Sequence, residues 1–85
     1  MKVYFISGLA ADRRVFRNIR LPEGYETVYL DWITQLRDES LESYAARLAQ
    51  KINTTEKFAL VGLSMGGMIA SEIAKVYHPQ ITILI

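Results

Sequence analysis

The stretch that most constrains this chain is residues 57–68, Lys57-Phe58-Ala59-Leu60-Val61-Gly62-Leu63-Ser64-Met65-Gly66-Gly67-Met68. A short apolar run of β-formers ends in Gly-x-Ser-x-Gly, and a helix-forming segment rich in small residues begins at once. The expected unit is a strand, a tight turn and a helix. In such a turn, the positions two before and two after the serine approach each other and the neighbouring strand. A side chain there would clash, and Gly62 and Gly66 carry none. Gly67 extends the pattern. The serine is expected in a strained backbone conformation, at a cost of roughly 1–3 kcal/mol that its surroundings absorb. Its Oγ would stand at the C-terminal edge of a sheet, above a helix N-terminus whose unpaired N–H groups and positive dipole end favour negative charge. The blander alternative is a glycine-rich turn whose serine only caps the helix.

Around this unit the chain alternates between the two periodicities. Lys2–Ser7 reads as a near-continuously apolar strand, hence central in a parallel sheet. Gly8-Leu9-Ala10-Ala11 is a loop. Asp12 is expected to cap a helix over 13–20, with Val15, Phe16 and Ile19 on one face. Arg13, Arg14, Arg17 and Arg20 lie mostly on the other face and read as solvated rather than as an anion site. Leu21-Pro22-Glu23-Gly24 is a turn. Glu26–Leu30 is a second strand, followed by Asp31 and Trp32; the tryptophan is expected to pack under its loop rather than line a cleft. A polar connection over 34–40 leads to Ser40, the cap of a helix over 41–53 with the stripe Leu41, Tyr44, Ala45, Leu48 and Ile52. Lys57–Leu63 is the third strand. A helix over 65–77 carries a small-residue stripe of Gly66, Gly67, Ala70 and Ala74, and His78-Pro79 closes it. Gln80–Ile85 is a fourth strand.

This alternation predicts an α/β fold with a parallel sheet. Ligand sites in such sheets lie beyond the C-terminal strand ends. Two glycine loops fall there, Ser7-Gly8-Leu9 and Leu63-Ser64-Met65, and they face each other if the first and third strands are neighbours.

Eighty-five residues allow one domain at most, and a chain of this length buries only about 60% of its unfolded surface. A fourth strand apolar on both faces expects covering layers and leaves an apolar edge bare. The expectation is therefore the N-terminal part of a larger single domain. The formal net charge of +1 argues against nucleic acid as a partner. No apolar run approaches the roughly 18 residues of a membrane span. The absence of cysteine excludes a disulfide scaffold and a thiolate metal site, and fits a reducing, cytoplasmic setting. No metal or cofactor is expected.

The elbow Gly62-Leu63-Ser64-Met65-Gly66-Gly67 does not stand alone. The turn Ile6-Ser7-Gly8-Leu9-Ala10-Ala11-Asp12, Asp31 after the second strand, and the Ser40-led helix fall at matching intervals. With these pieces the whole chain resembles the N-terminal half of an α/β-hydrolase-fold protein. The resemblance implies a local strand order 2-1-3-4, with the first helix on one face and the other two on the opposite face. It implies that Ser64 is a nucleophile and that the backbone N–H groups of Leu9 and Met65 are oxyanion donors. Gly8, Gly62, Gly66 and Gly67 match the loop and elbow glycines. The implied activity is hydrolysis of ester, thioester or similar small-molecule acyl substrates.

The sequence departs from the family pattern in two places. Ser7-Gly8 stands where His-Gly is common. The base and acid are also missing: the family order places both after the elbow, whereas Asp12 and Asp31 precede it. The one histidine, His78, lies roughly 14 residues along a helix, about 21 Å from Ser64. Both partners are expected beyond Ile85. Two other readings stay open. One is a noncatalytic hydrolase-fold binding protein, toward which Ser7 leans. The other is a Rossmann-like nucleotide-binding domain, toward which Asp31 leans by falling about 20 residues after Gly8. The first loop, however, has one glycine rather than three.

Overall fold

The computed structural model describes residues 1–8 and 12–85. Strands β1 (Lys2–Ile6), β2 (Glu26–Tyr29), β3 (Phe58–Gly62) and β4 (Ile81–Leu84) form one sheet in the order β2-β1-β3-β4. Every pairing is parallel. The two central strands are the apolar runs: Val3 to Ile6 and all of Phe58 to Gly62 are buried. Strands covered on both faces have no polar side to alternate with. Ile6 lies level with Gly62, so the segments following β1 and β3 leave the sheet side by side.

Two helices, α1 (Leu41–Ala49) and α2 (Met65–Tyr77), share one face of the sheet. Tyr44 and Leu48 of α1 and Ile69 and Ile73 of α2 close over Tyr4, Ile6 and Leu60. Ser40 caps α1, its Oγ accepting the Ser43 N–H at 3.0 Å. At the other end of α2, His78 takes a left-handed conformation with φ 51° and donates its N–H to the Ala74 carbonyl. Pro79 then prevents continuation.

The opposite face is covered by Phe16, which packs with Val3, Phe5, Ala59 and Val61. Phe16 comes from a 3₁₀ turn, Arg13–Phe16, not from a helix over 13–20. Only Phe16 is buried, at 2% exposed; Val15 and Ile19 are 47% and 38% exposed. Four arginines in eight residues disfavour a regular helix through like-charge neighbours at i,i+3 and i,i+4. One turn already delivers Phe16 to the sheet. The second expected helix is also shorter, ending at Ala49, but i→i+3 bonds from Lys51 and Ile52 carry the chain far enough to bury Ile52. On the outer strand β4, Ile81, Ile83 and Leu84 are each at least half exposed. No helix among the described residues is long and apolar enough to cross a membrane.

Candidate active site

The turn between β3 and α2 is held on both sides. Leu63 donates its N–H to the Ile6 carbonyl at 3.0 Å, and Ser64 donates to the Ile85 carbonyl at 2.9 Å. The first turn closes through Gly66 N–H to the Leu63 carbonyl and Gly67 N–H to the Ser64 carbonyl. Between these anchors Ser64 sits at φ 56°, ψ −120°, a region that L side chains rarely adopt. Ser64 is exposed, and its hydroxyl makes no capping hydrogen bond to α2.

The glycines explain how the backbone comes so close. A Cβ on Gly66 would lie 2.5 Å from the Ser7 carbonyl oxygen and nearer still to that of Ile6. One on Gly62 would lie 2.5 Å from Gly67 Cα and nearer to the Gly66 oxygen. Across the crevice, a Cβ on Gly8 would sit 3.2 Å from Ser64 Cβ and 3.8 Å from its Oγ. The ends of β1 and β3 therefore meet at the serine.

The Met65 N–H, the first of α2, makes no hydrogen bond among the described residues. It sits beside the serine at the positive end of a 13-residue helix. The Leu9 N–H, the other expected donor, lies outside the described residues. Asp12 and Asp31 are both engaged. The Asp31 carboxylate takes the Arg13 guanidinium through two nitrogens, one of them Nε at 3.2 Å. Arg13 also lies over the Tyr29 ring at 5.1 Å. The Arg14 side chain and backbone N–H hold the Asp12 carboxyl below its ordinary value. Arg13 and Arg14 are thus paired cations, not a vacant anion site. His78 is exposed at the far end of α2, about 20 Å from the serine by helical rise. Among the described residues, no group of three or more His, Cys, Asp or Glu side chains could hold a metal ion.

Trp32 both packs under its loop and borders clefts. Its Nε1 donates to the Ser7 carbonyl at 3.0 Å, and its ring lies 5.5 Å from that of Tyr44. On one side is a cleft of about 470 Å³ with Ser7, Asp12, Arg13, Arg14 and Asp31. On the other is an apolar cleft of about 270 Å³ that reaches Met65.

The loop carrying Trp32 is fastened to α1 by Glu39. This carboxylate, its side chain 3% exposed, accepts from Arg47 Nε at 2.7 Å and Nη2 at 2.8 Å. It also accepts from the Leu36 N–H and the Ser43 hydroxyl. Arg47 Nη2 donates in addition to the Thr34 carbonyl. The hydrogen bonds from Arg47, helped by those from Leu36 and Ser43 and opposed by burial, lower the Glu39 pKa from 4.5 to about 2. Because the folded value lies below the unfolded one, the clamp stabilises fully above pH 4.5 and its contribution fades as pH falls toward 2. Glu39→Gln is expected to lower the urea midpoint at pH 7 and to flatten its decline between pH 4.5 and 2. An unchanged acid limb in the variant would show that this carboxylate does not carry that dependence.

Sequence reading alone missed the Arg13–Asp31 and Glu39–Arg47 pairs. The second had a signal: Glu39, Ser43 and Arg47 fall at i, i+4 and i+8, one helical face. No protein-family model matches this chain, and no curated protein matches it.

Proposed function

We propose that Ser64 is the nucleophile of a serine hydrolase of the α/β-hydrolase type, acting on ester or thioester bonds of small molecules. The general base and acid come from outside these 85 residues. One observation carries the reading: an exposed serine is held at φ 56°, ψ −120° and leaves its hydroxyl unspent on the helix it begins. A serine kept as a cap would give its Oγ to an N–H of the first turn. Instead roughly 1–3 kcal/mol of strain is retained, and it serves to present an alcohol at the edge of the sheet.

The chemistry follows from the neighbours. The Oγ attacks the acyl carbon while a base takes its proton, and the carbonyl oxygen gathers negative charge. The Met65 N–H and the α2 N-terminus stabilise that oxyanion, and a single such donor is worth about 3–4 kcal/mol in comparable enzymes. Collapse expels the leaving group, and water then releases the acyl group from Ser64. His78 is too distant to serve as the base. Asp31, occupied by Arg13, is poorly placed to hold a ribose, which weighs against a nucleotide-binding role.

The complete protein is expected to turn over p-nitrophenyl esters with saturation kinetics. The 85 residues alone are expected to give no Ser64-dependent turnover, since loss of a triad histidine costs about 10⁶-fold in a comparable enzyme. Enzyme-like, Ser64-dependent rates from the 85 residues alone would contradict placing the base elsewhere.

A further inference from the structure

We infer that the apolar cleft beside Trp32 receives the acyl part of the substrate, and that this part is a compact, uncharged group of phenyl or branched-alkyl size. The inference rests on Ser64 being the nucleophile. Trp32, Leu41, Tyr44, Met65 and Ile69 supply the apolar lining, and the cleft encloses about 270 Å³. That volume is at the small end for ligand pockets. It suits a ring or a short branched chain better than a long acyl chain.

Two links tie the cleft to the serine. Met65 lines it and directly follows Ser64. Trp32 hangs from the Ser7 carbonyl, and the next residue, Gly8, abuts Ser64. The walls are fixed in advance. The Tyr44 hydroxyl accepts the Ile33 N–H at 2.9 Å and donates to the Ile33 carbonyl at 3.1 Å. The indole N–H is spent on Ser7, and the Ser40 Oγ on the Ser43 N–H. The polar ends of the aromatic pair are thus tied to backbone, leaving apolar surface for the ligand. Among the described residues no charged side chain lines the cleft, so a charged acyl group would lose hydration without gaining a partner there. The Arg13–Asp31 pair lines the other cleft, across Trp32.

The acyl group is the part of the substrate that becomes bonded to the Ser64 Oγ, whereas the leaving group departs before the second step. The residue next to that bond, Met65, is itself a wall of the cleft.

The test uses the complete protein and p-nitrophenyl acetate, phenylacetate and hemisuccinate. The expected kcat/KM for phenylacetate exceeds that for acetate by about tenfold or more, in the range one well-placed apolar group commands. The hemisuccinate is expected below both. Leu41→Trp, which fills the cleft, is expected to cut the phenylacetate-to-acetate ratio by about tenfold. Gln35→Phe, at an exposed lining position, serves the same purpose if the first variant does not fold. Ser64-dependent hydrolysis with no phenylacetate preference, or a preference unchanged in both variants, overturns the cleft assignment and leaves the nucleophile standing. Absence of Ser64-dependent hydrolysis of any of the three esters overturns both.

Discussion

Replacing Gly66 with alanine is expected to destabilise the domain by about 3 kcal/mol or more, the upper end of overpacking costs. The new methyl would overlap the carbonyl oxygens of Ile6 and Ser7. Those atoms belong to the end of the central strand β1, and the Ile6 oxygen already accepts from Leu63. Neither can swing aside as a side-chain tip would. Gly62→Ala is expected to behave alike, because its methyl would meet the backbone of Gly66 and Gly67. Gly67→Ala is the control. Its Cβ would find the Gly62 oxygen at 3.3 Å and a Leu84 methyl at 3.5 Å, distances that small shifts relieve. In a helix, alanine also gains about 0.5–1 kcal/mol over glycine, so the net change is expected within about 1 kcal/mol. Urea unfolding of the three variants reads this directly. Equal midpoints for Gly66→Ala and Gly67→Ala would mean that α2 does not lie against β1 as described.

Ser64→Ala and Ser64→Gly are expected to lose ester turnover equally, by about 10⁶-fold, the cost of removing a nucleophile in a comparable enzyme. They are expected to differ in stability. Alanine inherits the backbone at φ 56°, ψ −120° with its strain of roughly 1–3 kcal/mol. Glycine occupies that region freely, at the expense of about 0.5–1 kcal/mol of extra unfolded-state entropy. The glycine variant should therefore be the more stable by about 1 kcal/mol, inactive though it is. Equal stability of the two would remove the strain on which the functional reading leans.

The features legible in the sequence were local. The elbow helix runs over 65–77 as expected, because its small-residue stripe, its glycine entry and its His78-Pro79 exit all lie within the segment. The sheet order 2-1-3-4 came from the resemblance of the whole chain, and the parallel pairing agrees with it. The expected helix over 13–20 failed because apolar spacing at Val15, Phe16 and Ile19 counts side chains without asking which can reach the sheet. One turn brought Phe16 there and left the others in solvent. The Arg13–Asp31 pair joins residues 18 apart across two elements, and nothing local marks it. Apolar context alone predicts that Trp32 packs under its loop rather than lining a cleft, whereas its indole does both. Its hydrogen bond to Ser7 depends on β1 and β2 being neighbours, a tertiary fact.

A fluorophosphonate probe on the complete protein, followed by peptide mapping, tests the central claim most directly. The account expects a single covalent adduct on the Ser64 Oγ, absent in Ser64→Ala and unchanged in His78→Asn. An intact, folded protein that forms no adduct, or one labelled at a different serine while Ser64 stays unmodified, would contradict it.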